Sequence, residues 1–234
     1  MNPTKLDHVA YWVADRDPVA EFLTTYLGMH VIDRTETFTL VGSNARRGKL
    51  TLFDADGPRE RGALEHVALR VSNLEAALDE LPSGLEVDRP RPSEAYFDVG
   101  GEGVRLGLVE ADTDVEFDLD HVALRSKSPE ETAGEYASLG FAPAAPGPSG
   151  APRVEVGGAF VEFHPGEPGA PDRPVLNHLA VLVDSADEHL AEARDAGVEV
   201  DDVVDAANTY AVFLRGPDRV RIEYVEHKPT FSLR

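Results

Sequence analysis

No cysteine occurs anywhere in the 234-residue chain, which excludes disulfides, thiolate metal sites and cysteine nucleophiles. Any metal therefore has to rest on nitrogen and oxygen donors. Basic residues are scarce as well, 22 Lys and Arg against 43 Asp and Glu, for a formal net charge of −21. That charge repels phosphate backbones and anionic membrane surfaces, so neither nucleic acid nor membrane is an expected partner. No apolar run approaches the roughly 18 residues of a membrane span. Met1-Asn2-Pro3-Thr4-Lys5 leads into the body of the chain without an apolar signal segment. The expectation is a cytoplasmic protein, with homo-oligomerisation left open.

What the chain does have is a phrase used four times: Asp7-His8-Val9-Ala10, Glu65-His66-Val67-Ala68, Asp120-His121-Val122-Ala123 and Asn177-His178-Leu179-Ala180. Successive histidines are 58, 55 and 57 residues apart. A self-similar period of this size means one supersecondary unit copied four times. Each copy opens with a strand, and the face carrying His178 also carries the small Ala180. A helix follows, signalled by Asp17-Pro18 in the first copy and by Ser128-Pro129-Glu130-Glu131, a cap with an acidic first turn, in the third. Apolar stripes such as Val19, Phe22, Leu23 and Tyr26 predict that the helices cover the outer faces of sheets. Turn-bounded β segments complete each copy, for example Tyr210–Leu214 and Val220–Val225 in the fourth. The unit reads β-α-β-β-β. The acidic stretch Glu110–Glu116 sits where a domain linker is expected, and the Pro/Gly-rich segments 143–152 and 165–174 read as surface loops.

Aligning the ends of the copies breaks their equivalence. Residues 104–110 align without a gap on 220–226, and Thr51-Leu52-Phe53 aligns on Val161-Glu162-Phe163. Copies three and four then carry Glu162 and Glu223 where copies one and two carry Leu52 and Gly107. Strand alternation turns Val220, Ile222 and Tyr224 toward the helix and Glu223 to the opposite, inner face. A buried glutamate is costly unless it is paired or bound to a cation. A lone histidine on a strand is ordinarily a satisfied core or rim residue; two histidines converging with carboxylates describe a divalent metal site. On this reading His121, His178 and Glu223 are metal ligands, and Glu162 is a further ligand or a proton-transfer base. His8 and His66 are then degenerate copies. His30, His189 and His227 match no repeated position and read as surface residues, while His164 shares the parity of Glu162.

With these residues in view, the chain resembles the vicinal oxygen chelate superfamily, the glyoxalase, bleomycin-resistance and extradiol-dioxygenase group, over essentially its whole length. The resemblance implies an α+β fold: four βαβββ modules paired into two open, cupped β-barrel domains with helices outside. The domains expected are residues 1–113, with a degenerate metal site, and 114–234, with the functional one. It implies a metal-dependent enzyme acting on a small molecule that presents vicinal oxygens. Four modules with two histidines and one carboxylate look like the extradiol dioxygenases, with Fe(II) or Mn(II). A set of two histidines and two glutamates looks like glyoxalase I and related isomerases, with Zn(II) or Ni(II) as Lewis acid. A third reading is a metal-free binder of small molecules such as antibiotics. The extradiol pattern expects tyrosine ten residues before the last ligand, where this chain has Phe213, and Tyr210 is the nearest phenol. Glu162 and Tyr210 are thus the candidate catalytic groups, and Arg125, Phe160, Phe213 and Arg221 the candidate substrate contacts.

Overall fold

The structure, a computed structural model, describes residues 1–57, 59–100 and 103–233. The first module comprises β1 (Lys5–Val13), α1 (Arg16–Tyr26), β2 (His30–Arg34), β3 (Phe38–Gly42) and β4 (Lys49–Asp54). The second comprises β5 (Leu64–Val71), α2 (Leu74–Asp79), β6 (Asp88–Arg91), β7 (Glu94–Val99) and β8 (Val104–Glu110). The third comprises β9 (Asp118–Ser126), α3 (Pro129–Ser138), β10 (Ala142–Pro143), β11 (Arg153–Val156) and β12 (Ala159–Pro165). The fourth comprises β13 (Leu176–Leu182), α4 (Ala186–Asp195), β14 (Val200–Asp205), β15 (Thr209–Arg215) and β16 (Arg221–His227). All four copies therefore follow the predicted β-α-β-β-β order.

Local chemistry accounts for the helices. Asp15, Asn73 and Ser185 cap α1, α2 and α4 by accepting from backbone N–H groups at Asp17, Ala76 and Glu188, each satisfying a donor the helix leaves open. The cap of α1 is thus two residues ahead of the predicted Asp17 start. Ser128 makes no side-chain cap; Pro129 opens α3 instead, and Ser126 Oγ takes the Ser128 N–H at 3.1 Å. Gly28 and Gly140 end their helices at φ +61 and +97, a region that disfavours any side chain.

The strands form two eight-stranded sheets, ordered β14-β15-β16-β13-β1-β4-β3-β2 and β10-β11-β12-β9-β5-β8-β7-β6. The first module therefore joins the fourth through antiparallel β1 and β13, and the second joins the third through β5 and β9. This corrects the expected division at 113/114, because each half of the chain contributes to both sheets. The reason is length. Residues 111–117 turn directly from β8 into β9 of the same sheet, so the acidic stretch is a turn within one sheet, held down where Arg47 pairs with Asp114 and Asp118. The chain crosses between the sheets from β4 to β5 and, through a Pro/Gly-rich segment, from β12 to β13, and the two crossings meet where Val175 N–H donates to Glu60 O at 2.9 Å.

The sheets are cupped rather than closed. Their convex faces and the helices share one continuous apolar core, into which Leu6, Val9, Tyr11, Val67, Phe97, Val122, Phe163, Leu179 and Tyr224 are buried. Each such side chain contributes about 1.5–3 kcal/mol. Contacts cross between the sheets within this layer: Phe22 of α1 packs on Phe97 of β7 at 6.0 Å, and Tyr224 Oη donates to Leu139 O at 2.7 Å. The concave faces are left to carry chemistry.

Candidate metal centre

Each copy of the histidine phrase contains a β-bulge. Across β1 and β13, Leu6 pairs with Val181 but His8 with Ala180, and Ala10 pairs with His178 but Tyr11 with Leu176. Asp7 and Asn177 are thus extra residues without a cross-strand partner. Glu65 and Asp120 are skipped in the same way between β5 and β9. A bulge re-aims its side chains, and here it turns both the histidine and the preceding residue into the cup. Asp7 Oδ2 lies 2.9 Å from His8 Nδ1, Asn177 Oδ1 2.8 Å from His178 Nδ1, and Asp120 Oδ1 2.7 Å from His121 Nδ1. An acceptor at Nδ1 leaves the Nε2 lone pair facing inward.

In the first cup, formed by modules one and four, His8 Nε2 is 3.1 Å from His178 Nε2 and 3.2 Å from Glu223 Oε2, and His178 Nε2 is 3.0 Å from the same oxygen. Three acceptor atoms converging this closely repel one another unless a proton or cation lies among them. Burial opposes charging of His8, but Asp7 and Glu223 on either side outweigh it and raise its pKa to about 9. Burial lowers the pKa of His178, and His8 and Arg221 lower it further against the pull of Glu223. Glu223 is held well below the usual carboxylate range because both histidines offset the cost of its burial. The triangle also fits a metal. Donors bound at about 2.1–2.2 Å and at right angles to one another stand roughly 3.0–3.1 Å apart, which is the edge length found.

Lys49 supports this site from behind. It lies opposite His8 in the β1–β4 register, and its buried ammonium donates to Asp7 Oδ2 at 2.7 Å. Aromatic rings flank the triangle: Phe213 meets the His178 ring at 5.2 Å and Phe53 at 6.2 Å, with the Trp12 ring tilted against Phe53 at 5.5 Å. A cleft of about 290 Å³ is lined by Trp12 and Asn177 together with Arg215, Arg221 and part of the 168–174 loop.

The second cup, formed by modules two and three, holds His66, His121 and Glu162. The expected ligand set is therefore split. His178 and Glu223 meet His8, whereas His121 faces His66 in the other sheet, with Nε2 atoms 3.0 Å apart. Glu162 also belongs to that second cup, beside Arg153 and His164, so it is not a catalytic group or ligand at the centre that contains His178. His8 and His66 are not degenerate leftovers; each completes a histidine pair.

In module one the register differs by one residue from the expected alignment. Ala180 pairs with Glu223 and Ala123 with Glu162, but Ala10 pairs with Thr51. Thr51 is thus the counterpart of the glutamates, and Leu52 points into the core. Tyr210 lies on the helix side of β15, where its hydroxyl donates to Asp187 Oδ1 at 2.9 Å, which removes it from the cup. The four candidate substrate contacts divide in the same way as the ligands. Phe213 and Arg221 stack together in the first cup, the guanidinium 3.9 Å from the ring centre. Phe160 lies in the second cup under Arg153, and Arg125 sits near the C-terminal end of the central strand β9, 3.9 Å from Glu65. His30 is exposed as expected, but His189 and His227 are not surface residues: His189 is buried, accepting from Asn2 N–H at Nε2, and His227 is largely buried, stacked on Phe231 beside Asp7.

Residues 5–99 match the family model of the Glyoxalase/Bleomycin resistance protein/Dioxygenase superfamily. No curated protein sequence matches the chain. Among solved structures, a putative dioxygenase from Bacillus subtilis is 18% identical with a TM-score of 0.79, covering 98% of this chain and 87% of its own. Glyoxalase I from Zea mays is 16% identical with a TM-score of 0.75, over 95% and 92% of the two chains. The cppA protein of Streptococcus pneumoniae is 16% identical with a TM-score of 0.65, over 96% and 99%. The family match covers the first module and the second as far as β7; over the whole chain the likeness to these solved structures is one of fold, two cupped sheets of βαβββ modules.

Proposed function

We propose that the chain is a divalent-metal-dependent enzyme whose active centre is the first cup, and that it acts on a small molecule bearing two neighbouring oxygens. The reading rests on one observation, the 3.0–3.2 Å triangle of His8 Nε2, His178 Nε2 and Glu223 Oε2. His8, His178 and Glu223 would hold the ion. An Fe(II) or Mn(II) ion bound there would supply adjacent open positions for a catecholate and dioxygen. An extradiol-type ring-cleaving dioxygenase is favoured over a lyase or isomerase, because Thr51 stands where a second carboxylate of the first cup would be. Glu162, the other glutamate, is in the opposite sheet.

The chain's own groups would do the rest. Asp7 and Asn177 orient the two imidazoles, and Lys49 neutralises Asp7, so that one net negative charge, that of Glu223, faces the ion. Phe53, Phe213 and Trp12 form apolar walls suited to a planar ring and exclude water from it. Arg221, stacked on Phe213 and ion-paired with Asp201, lines the neighbouring cleft and would contribute positive charge toward an anionic substituent there.

Anaerobic loading of the protein with Fe(II), followed by oxygen-electrode measurements with a panel of catechols, tests this. Oxygen uptake that is lost in H8A and E223A but kept in E162Q is expected. Uptake unaffected by H8A moves the centre elsewhere, and Zn(II)- or Ni(II)-dependent turnover without oxygen consumption replaces the dioxygenase by the lyase or isomerase.

A further inference from the structure

Asp7 orients His8, and its own carboxylate is held from more than one direction. Oδ2 accepts from Lys49 Nζ at 2.7 Å and lies 2.9 Å from His8 Nδ1. The other oxygen, Oδ1, faces His227 Nε2 at 3.4 Å. Lys49 belongs to β4 of module one, whereas His227 ends β16 of module four. It stands four residues beyond Glu223, on the same face of the strand. The strand that supplies Glu223 to the triangle therefore also supplies an imidazole behind it.

The other modules form the same sheet structure without that imidazole. Glu223, Glu162, Thr51 and Gly107 are equivalent, since they pair with Ala180, Ala123, Ala10 and Ala68, each two residues after the histidine of its own module. Four residues further on, the other three modules carry Gly166, Ala55 and Ala111. None of these could reach a carboxylate, so the strand itself does not require a histidine there.

Keeping His227 has a cost. Its Nδ1 is buried with no hydrogen-bond partner among the described residues, and an unpaired buried polar atom opposes folding. An apolar side chain would avoid this, so the ring is retained for what Nε2 does. Opposite a carboxylate, Nε2 is the nitrogen that carries the proton.

Segment 228–232 fixes the ring. Lys228 N–H donates to Asn208 O at 2.9 Å, Phe231 N–H to Lys228 O at 2.8 Å and Ser232 N–H to Asn208 Oδ1 at 3.1 Å. This turn lays Phe231 nearly flat on His227, with centroids 4.1 Å apart and planes at 16°. The guanidinium of Arg46, from module one, stands over the same phenyl ring at 5.3 Å. A stacked imidazole is hindered from turning about its last bond, which keeps Nε2 aimed at Asp7.

We propose that His227 is a positioning residue of the first cup: through Asp7 it fixes the ring of His8, and Phe231 fixes His227 in turn. Groups that orient an imidazole ligand from behind are typically worth about 10–100-fold in metal affinity. That consequence rests on the first cup being a metal centre, whereas the effect on His8 does not.

Co(II) titration followed by absorption tests the consequence, the first cup being the site that E223A abolishes. Its affinity is expected to fall by about 10–100-fold in H227L and to stay within about 3-fold of native in H227Q, whose amide N–H replaces the one on Nε2. D7N/H227L is expected to bind no more weakly than D7N. An affinity unchanged in H227L, or a loss in H227L that repeats in full on top of D7N, overturns the proposal. Proton NMR of the metal-free protein tests the effect on His8. The low-field resonance of the proton between His8 Nδ1 and Asp7, identified by its loss in D7N, is expected to shift in H227L and F231A and to hold its place in H227Q. A resonance that H227L leaves unmoved overturns the proposal whether or not an ion binds, and F231A decides alone if H227L does not fold. A native protein without an E223A-sensitive Co(II) site removes the metal centre, and the resonance still decides the role of His227.

Discussion

At the scale of the residue, the decisive groups are those standing behind the histidines. Asp7 is buried at 3% exposure and is held ionised, the cost of burial being outweighed by Lys49, His227 and His8. Removing one partner of a buried pair leaves an uncompensated charge, at a cost of about 3–5 kcal/mol. Lys49→Met is therefore expected to lower unfolding stability by about that amount in urea, and Lys49→Met with Asp7→Asn by markedly less. Equal losses in the two variants would mean that the ammonium acts through packing alone. That His178 and Glu223 face the inside of a cup was legible from strand parity, but the placement of Asp7 and Asn177 was not. They did leave a signal. Each histidine phrase reads apolar-polar-polar-apolar, as in Leu6-Asp7-His8-Val9 and Leu176-Asn177-His178-Leu179. A regular strand alternates, so two polar residues between two core residues mark a bulge.

At the scale of the element, the helices and most strands followed from caps, glycines and apolar stripes, because these are set by neighbours in the chain. Registers were less accessible. The one-residue slip that put Leu52 in place of Thr51 reversed which side chain of β4 faces the cup, as any odd shift must. The edge strand β14 shows how an element is tied on by charge. Asp201 accepts from Arg215 and Arg221 of the neighbouring strands. Burial alone would raise its pKa, but the two guanidiniums more than offset this and lower it. A carboxylate with a depressed folded pKa stabilises above its unfolded value of about 3.9, and that contribution is lost as pH falls through the folded pKa. Acid titration of stability below about pH 4 should therefore be shallower in Asp201→Asn than in the native chain, with the largest change in hydrogen-exchange protection at Val200–Asp205. Superimposable titrations would show that the arginines do not hold the strand.

At the scale of the whole molecule, the arrangement is nested: modules two and three form one sheet, and modules one and four enclose it in sequence and build the other. The first cup thus takes His8 from the beginning of the chain and His178 and Glu223 from the end. If the first cup holds the proposed ion, fragments 1–113 and 114–234 expressed separately are each expected not to retain it, and mixing them to restore retention, as measured by metal content after gel filtration. Retention by 114–234 alone would contradict the pairing. The fold class, its four units and the vicinal oxygen chelate resemblance were all legible, since each module is made by contacts within about 55 residues.

Which modules meet was decided by tertiary structure. The four copies open with nearly the same strand, so local sequence offers each of them several possible partners. Short residues 111–117 and the longer crossings from β4 to β5 and from β12 to β13 select among these, through loop closure and through a core that buries both convex faces at once. The sequence by itself determined that histidines and glutamates would face the inside of cups. Only the folded chain decided that His178 and Glu223 would meet His8, and that His121 would meet His66.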